Sequence, residues 1–194
     1  VVRAEQPVVL LPYEGSDVTK EYHGIRLMQR EGVPVAEPLW LETDAGRLGF
    51  RFMVSRRAVG KTYGNHFGGD EGLSKDNIGA IVDSIVSTLV ALHQVDIDPS
   101  DPDVQASHLK DWLPCKTVTE STRYCVTEYL PKLLRLTDVP MTPQLQRVFS
   151  WLAKNVPQVD EPVVITHLDF GFNNLIFDGN NIGEVIAALD AIRF

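Results

Sequence analysis

Apolar and polar residues alternate along the chain with two different periods. Val18, Tyr22, Ile25 and Gln29 keep the 3.6-residue repeat of a helix. Ser16 or Asp17 can cap that helix, and it runs to about Glu31 before Gly32 and Pro34 stop it. Ile78, Ile81, Val82, Ile85, Val86, Leu89 and Leu92 predict a strongly amphipathic helix from Asp76 to His93. Residues 104–135 read as interrupted helix. Leu145, Val148 and Leu152 share one face of a helix over Thr142–Asn155. The strand-like runs are Val1–Arg3, Glu37–Glu42, Gly49–Ser55, Val163–Thr166, Leu175–Phe177 and Ile182–Leu189. Turn residues at 43–46 and at 178–181 predict two hairpins. Trp40, Trp112 and Trp151 are expected in packing positions.

The order is a small α+β unit ending near Arg56, a connection, helices, and a terminal hairpin. Residues 4–15 carry two prolines and a glycine and read as a loop; residues 59–75 hold five glycines and read as a linker or mobile loop. Residues 96–103 are acidic and broken by proline.

With 194 residues, 44% of them apolar and 23% charged, the chain can bury a core, which excludes disorder as its main state. No apolar run reaches the roughly 20 residues of a membrane span. The net charge of −8 argues against a nucleic-acid surface, which needs clustered cations. Cys115 and Cys125 are too few for a zinc cluster or a disulfide framework, so a reduced, cytoplasmic setting is the expectation. The chain begins at Val1, without a signal peptide, and stops at Phe194 just after a strand-like run. Both ends look cut from something longer.

The chemistry concentrates in VVITHLDFGFNNLIFDGNNIGEVIAALD, residues 163–190. Asp169 follows an apolar strand, Asn174 precedes the next, and Asp190 ends the last. The hairpin expectation makes Asn174 and Asp190 neighbours, with Asp169 in the loop feeding them. Carboxylate and carboxamide oxygens suit Mg²⁺, and a further carboxylate can take a proton from an alcohol. H-x-D-x-x-x-x-N followed by an aspartate on the next hairpin is the kinase division of labour. Taken singly, each of these residues is more simply a turn-former or a strand-end cap. His167 is expected to bond backbone around the loop.

These residues resemble the aminoglycoside phosphotransferase superfamily, small-molecule kinases of protein-kinase-like fold. The branch attached to some acyl-CoA dehydrogenases is the most similar, through ITHLDFGFNNLIF and EVIAALD. Val2-Arg3, VVLLPYEGSDVTKEY, GVPVAEPLWLETD, LGFRFMVSRRAVG, ALHQVD and WLAKNVP extend the resemblance over nearly the whole chain.

The resemblance implies an α+β, two-lobed kinase-like fold. Residues 1–58 would be a partial N-lobe and hinge, and 59–194 a partial helical C-lobe. It implies transfer of the γ-phosphoryl group of ATP to a small-molecule hydroxyl with Mg²⁺. Asp169 would be the catalytic base, and Asn174 and Asp190 would hold the metal. Arg3 would meet the α- and β-phosphates, Glu21 would pair with Arg3, and Phe52, Met53, Val54 and Ser55 would be the hinge offering backbone groups to adenine. Glu21 also lies beside Val18 and Ile25 on the apolar side of its helix, where a charge needs a counter-charge.

The sequence departs from that pattern at Leu168, where the family usually has glycine, and at Ala191, where it commonly has an aromatic residue. The glycine-rich hairpin over the phosphates would precede Val1, and acceptor-site helices would follow Phe194. The isolated chain is therefore expected to be weakly active or inactive. The alternative expectation is a pseudokinase or inactive fragment that binds nucleotide without transfer. The acceptor is not legible, no nucleic-acid or membrane partner is expected, and the oligomeric state is open. Lys61 in GKTYG lacks the first glycine of a P-loop, and His93 reads as a half-buried structural histidine.

Overall fold

The computed structural model describes residues 1–5, 17–63, 75–167, 170–179 and 181–185. Strand β1 (Val2–Ala4) is followed by helix α1 (Val18–Arg30), β2 (Pro38–Glu42), the single turn α2 (Ala45–Leu48) and β3 (Phe52–Ser55). Then come α3 (Ile78–His93), α4 (Pro102–Ala106), a 3₁₀ turn (His108–Trp112), α5 (Val118–Tyr124), a π turn (Cys125–Tyr129), α6 (Leu130–Leu136) and α7 (Pro143–Lys154). A 3₁₀ turn (Phe172–Asn174) leads into β4 (Leu175–Asp178) and β5 (Asn181–Val185).

The first three strands form an antiparallel sheet in the order β1-β3-β2, with Arg3 opposite Met53 and Leu41 opposite the same residue from the other side. Asp17 caps α1 by accepting from the Thr19 amide, and α1 packs Ile25 and Met28 with Met53 of the sheet. The β2–β3 hairpin differs from a tight turn. Asp44 accepts from the Gly46 amide and starts one helical turn, which Gly49 ends at φ 87°.

The main core joins both halves of the chain. Ile25, Leu27, Met28, Val33 and Met53 pack with Leu92, Val95, Val104, Leu109 and Ile165. A second cluster, Tyr63, Ile81, Leu175 and Phe177, lies under the β4–β5 hairpin. Helix α3 is where its periodicity puts it, but Ile81 and Leu92 are buried while Ile78, Val82, Val86 and Val90 are exposed. Helix α7 likewise matches its predicted bounds within a residue at each end, capped by Thr142, with none of its residues buried.

Two expectations need correction. Among the described residues Val163–Thr166 joins no named strand; Pro162 makes an isolated bridge to Thr117, and the fully buried Ile165 is itself a bridge residue. Trp112 is buried against Tyr124 and Tyr129, but Trp40 and Trp151 are 58% and 62% exposed. Trp40 lies on the outer face of an edge strand, and Trp151 on the open side of α7.

Leu27 has no exposure and Leu48 is largely exposed. Leu27→Ala is expected to lower unfolding free energy by about 2–5 kcal/mol, and Leu48→Ala to stay within about 0.5 kcal/mol. Urea denaturation of the two variants checks the contrast.

Candidate active site

Arg3 leaves the sheet toward α1, and its Nε lies 2.9 Å from Glu21 Oε2. Strand pairing with Met53 fixes where Arg3 starts, and the buried face of α1 fixes Glu21. The Arg3 side chain is half exposed and that of Glu21 only 5%. Removing a carboxylate from water costs several kcal/mol, and a guanidinium at contact distance offsets that cost. The pair therefore ties β1 to α1 across the sheet face.

A cavity of about 330 Å³ opens beside this ion pair. Arg3 and Glu21 form one end; Ile25, Ala36 and Met53 form a wall. Ser55 at the end of β3 and Arg57, Ala58 and Gly60 after it line the cavity as well, together with Ile176 of β4. Apolar walls with one charged end suit a flat, largely apolar ring system carrying an anionic group.

Gly60 sets how closely rim and hairpin approach. A Cβ built there would lie 2.4 Å from the Phe177 carbonyl oxygen and 2.9 Å from Ile176 Cγ2, and its φ is 142°. Only glycine fits both the conformation and the approach. The next residue fastens the contact: Lys61 N–H donates to Phe177 O at 3.1 Å, and Phe177 N–H donates to Lys61 O at 2.8 Å. Tyr63 packs its ring 5.0 Å from that of Phe177. Lys61 is thus a backbone bridge to β4.

Phe52, Met53, Val54 and Ser55 form the middle strand of the sheet. Ser55 already donates to Val1 O at 2.9 Å and accepts from the Val1 amino group at 2.7 Å. Met53 and Ser55 reach the cavity, while the segment just after the strand, Arg57 to Gly60, lines its rim. Sequence reasoning did not single out Ala36, Gly60 or Ile176, whereas Arg57 and Ala58 fall at the hinge end of the expected 1–58 unit. Gly60 carried a signal, as a glycine soon after a strand end.

Asn174 closes the 3₁₀ turn, its N–H donating to Gly171 O at 2.8 Å, and Ile176 follows two residues later. His167 is buried with its ring edge-on to Phe170 at 5.6 Å. The β4–β5 ladder runs from Asp178 opposite Asn181 to Leu175 opposite Val185, with Gly179 at φ 64° in its turn. Asp169 and Asp190 lie outside the described residues. No His, Cys, Asp or Glu cluster fit for a metal occurs among the described residues.

Gly60→Ala combines a disfavoured φ with a backbone clash, whereas Gly49→Ala has φ 87° and open space. Gly49→Ala should cost about 1 kcal/mol and leave β4 undisturbed. Gly60→Ala should cost at least twice as much and raise hydrogen exchange at residues 175–178. Thermal unfolding and exchange mass spectrometry read the difference.

Three comparisons bear on this arrangement. The family model described as "Phosphotransferase enzyme family" matches residues 4–190. The chain is 26% identical over 190 residues to acyl-CoA dehydrogenase family member 11 of Mus musculus, and 26% over 193 residues to that of Homo sapiens. Each alignment covers 98% of this chain, which spans only 22% of those relatives' length. The crystal structure of a Ralstonia eutropha protein assigned to the aminoglycoside phosphotransferases superposes with a TM-score of 0.63 at 23% identity, over 96% of this chain and 51% of that one. A thermostable mutant of aminoglycoside phosphotransferase APH(4)-Ia, crystallised with AMP-PNP and hygromycin B, superposes with a TM-score of 0.58 at 18% identity, over 91% of this chain and 57% of that one. The fold is therefore the α+β, kinase-like fold of those enzymes, and with 187 of its 194 residues inside the family match (4–190), the chain belongs to the phosphotransferase enzyme family.

Proposed function

We propose that the protein transfers the γ-phosphoryl group of ATP to a hydroxyl of a small molecule, with the cavity beside Arg3 and Glu21 as its nucleotide site. One observation carries this reading: the 2.9 Å ion pair lines a cavity shared by Met53 and Ser55 of the sheet and Ile176 of the hairpin. An adenine ring suits the apolar part. The Arg3 guanidinium suits the phosphates, since a planar fork can bond two oxygens at once. The rim from Arg57 to Gly60 supplies backbone groups toward the ring, and the lobes divide there, 1–58 from 59–194.

The remaining roles follow from chemistry. Asp169 accepts the proton of the acceptor hydroxyl. The acceptor oxygen then forms its bond to the γ-phosphorus as the bond from phosphorus to the ADP oxygen breaks. Asn174 and Asp190 offer the carboxamide and carboxylate oxygens that Mg²⁺ prefers, so the donor set fits that ion, which when bound would neutralise phosphate charge. Glu21 holds Arg3 in place, and His167 braces the loop against Phe170. Catalysis is then mostly positioning.

Similarity to acyl-CoA dehydrogenase family member 11 favours a hydroxyacyl thioester over an aminoglycoside as acceptor. Those relatives join the matched region to other sequence, and a thioester acceptor would suit that company.

Turnover of ATP by the full-length protein over a panel of hydroxyl compounds tests the proposal. Asp169→Asn is expected to lower kcat about 10²–10⁴-fold with little change in ATP affinity. Arg3→Gln is expected to raise KM for ATP about tenfold. Mg-ATP binding with no transfer to any acceptor, unchanged by Asp169→Asn, would instead establish a binding module.

A further inference from the structure

Helix α1 carries a second charged face that the nucleotide site does not use. Its centre is Asp103 of α4, 1% exposed. His23 Nδ1 lies 2.8 Å from Asp103 Oδ1. Arg26 Nε donates to Asp103 Oδ2 at 3.1 Å, and Arg30 Nη1 donates to the same oxygen at 3.3 Å. Arg30 Nη2 reaches Asp101 Oδ2 at 2.6 Å. Desolvation at Arg30 is outweighed by its bonds to Asp101 and Glu31 and by the fields of Asp101 and Asp103, so its guanidinium is held above its ordinary value. Asp101 also caps α4, accepting from the Asp103 amide at 2.8 Å and the Val104 amide at 3.4 Å. The acceptor end of the network is therefore anchored in backbone.

The placement of His23, Arg26 and Arg30 on α1 matters. At about 100° per residue, His23, Arg26 and Arg30 fall within a wedge of about 60°, centred about 180° from Glu21. The two carboxylates hold opposite sides of one helix. The contacts along its length, through Ile25, Leu27 and Met28, are apolar and non-directional. A fork of directional bonds resists rolling. On a helix about 10–12 Å wide, a roll of about 20° moves a side-chain tip by about 2 Å. That displacement would break a 2.9 Å contact.

We propose that Asp103 is a positioning residue for the nucleotide site: by clamping His23, Arg26 and Arg30 it fixes the rotation of α1 and thereby holds Glu21 against Arg3. This rests on the function proposed above. A buried ionic cluster is a poor source of net stability compared with apolar packing, and its best-attested use is to fix register. Asp103 acts through Glu21 and does not itself reach the cavity lining.

The test uses the full-length protein with Asp103→Asn, Glu21→Gln, the double variant, and Leu109→Ala as a core control. Leu109 is fully buried in the cluster that includes Val104 and takes no part in the hydrogen bonds and ion pairs given above. Hydrogen exchange across residues 22–30 is expected to rise at least tenfold in Asp103→Asn and to keep its ranking among helices in Leu109→Ala. KM for ATP should rise about tenfold in Asp103→Asn, with KM for the acceptor unchanged. In the Glu21→Gln background the further effect of Asp103→Asn on KM for ATP should fall below twofold, since both act on one contact. Unchanged exchange in α1, or full multiplication of the two effects, overturns the proposal. If Asp103→Asn does not fold, Arg26→Gln, at a half-exposed guanidinium, should give the same pattern at smaller amplitude. If the wild-type protein neither binds nor turns over ATP, the function proposed above falls, and the exchange measurement alone decides whether Asp103 fixes α1.

Discussion

Glu21 and Asp103 are both nearly buried, and charge in a protein interior must be met by charge or by several hydrogen bonds. Arg3 meets the first and His23, Arg26 and Arg30 the second, so the pairing requirement at two carboxylates fixes α1 on both sides. The sheet edge, the helix and α4 become one unit as a result. The cavity inherits its charged end from that unit.

The other end of the cavity depends on a steric constraint. Gly60 lets the rim touch the backbone of β4, and Lys61 and Phe177 exchange two backbone bonds there. Tyr63, Ile81, Leu175 and Phe177 fill the space beneath. The sheet side rests on the main core and the hairpin side on this smaller cluster. The site thus lies between two separately supported surfaces, joined along the segment after β3. That arrangement suits a ligand with one ring to insert and one charged tail to hold.

Much of this could be read from residue order. Helices α1, α3 and α7 were legible because their apolar spacing, caps and stops agree. The β4–β5 hairpin was legible from Asp178 to Asn181, and the need of Glu21 for a counter-charge from its place on an apolar helix face, while Arg3 as its partner was implied only by the family resemblance. Other features depend on long-range partners. Ile165 has the composition of a strand residue and makes a β-bridge, while the chain just before it bonds to Lys116 and Val118 and joins no named strand among the described residues. Asp44 turns an expected tight turn into helix by capping Gly46. Trp40 and Trp151 are large enough to suggest a core, but side-chain size does not say which face is covered. That Ser55 bonds to Val1 was not legible either, since those hydrogen bonds appear only once β1 is placed beside β3. Asp103 drew no notice, because its three partners lie more than 70 residues away.

The central claim is that nucleotide binds between the Arg3–Glu21 pair and Ile176. Titration of AMP-PNP with Mg²⁺ into methyl-labelled protein, followed by NMR, addresses it directly. The methyl groups of Ile25, Met53 and Ile176, which line the cavity, should shift together with a single Kd. Those of Ile81 and Ile165, fully buried in the two cores, should move little. Shifts that leave Ile25, Met53 and Ile176 in place, or saturable binding reported only by other methyl groups, would contradict it.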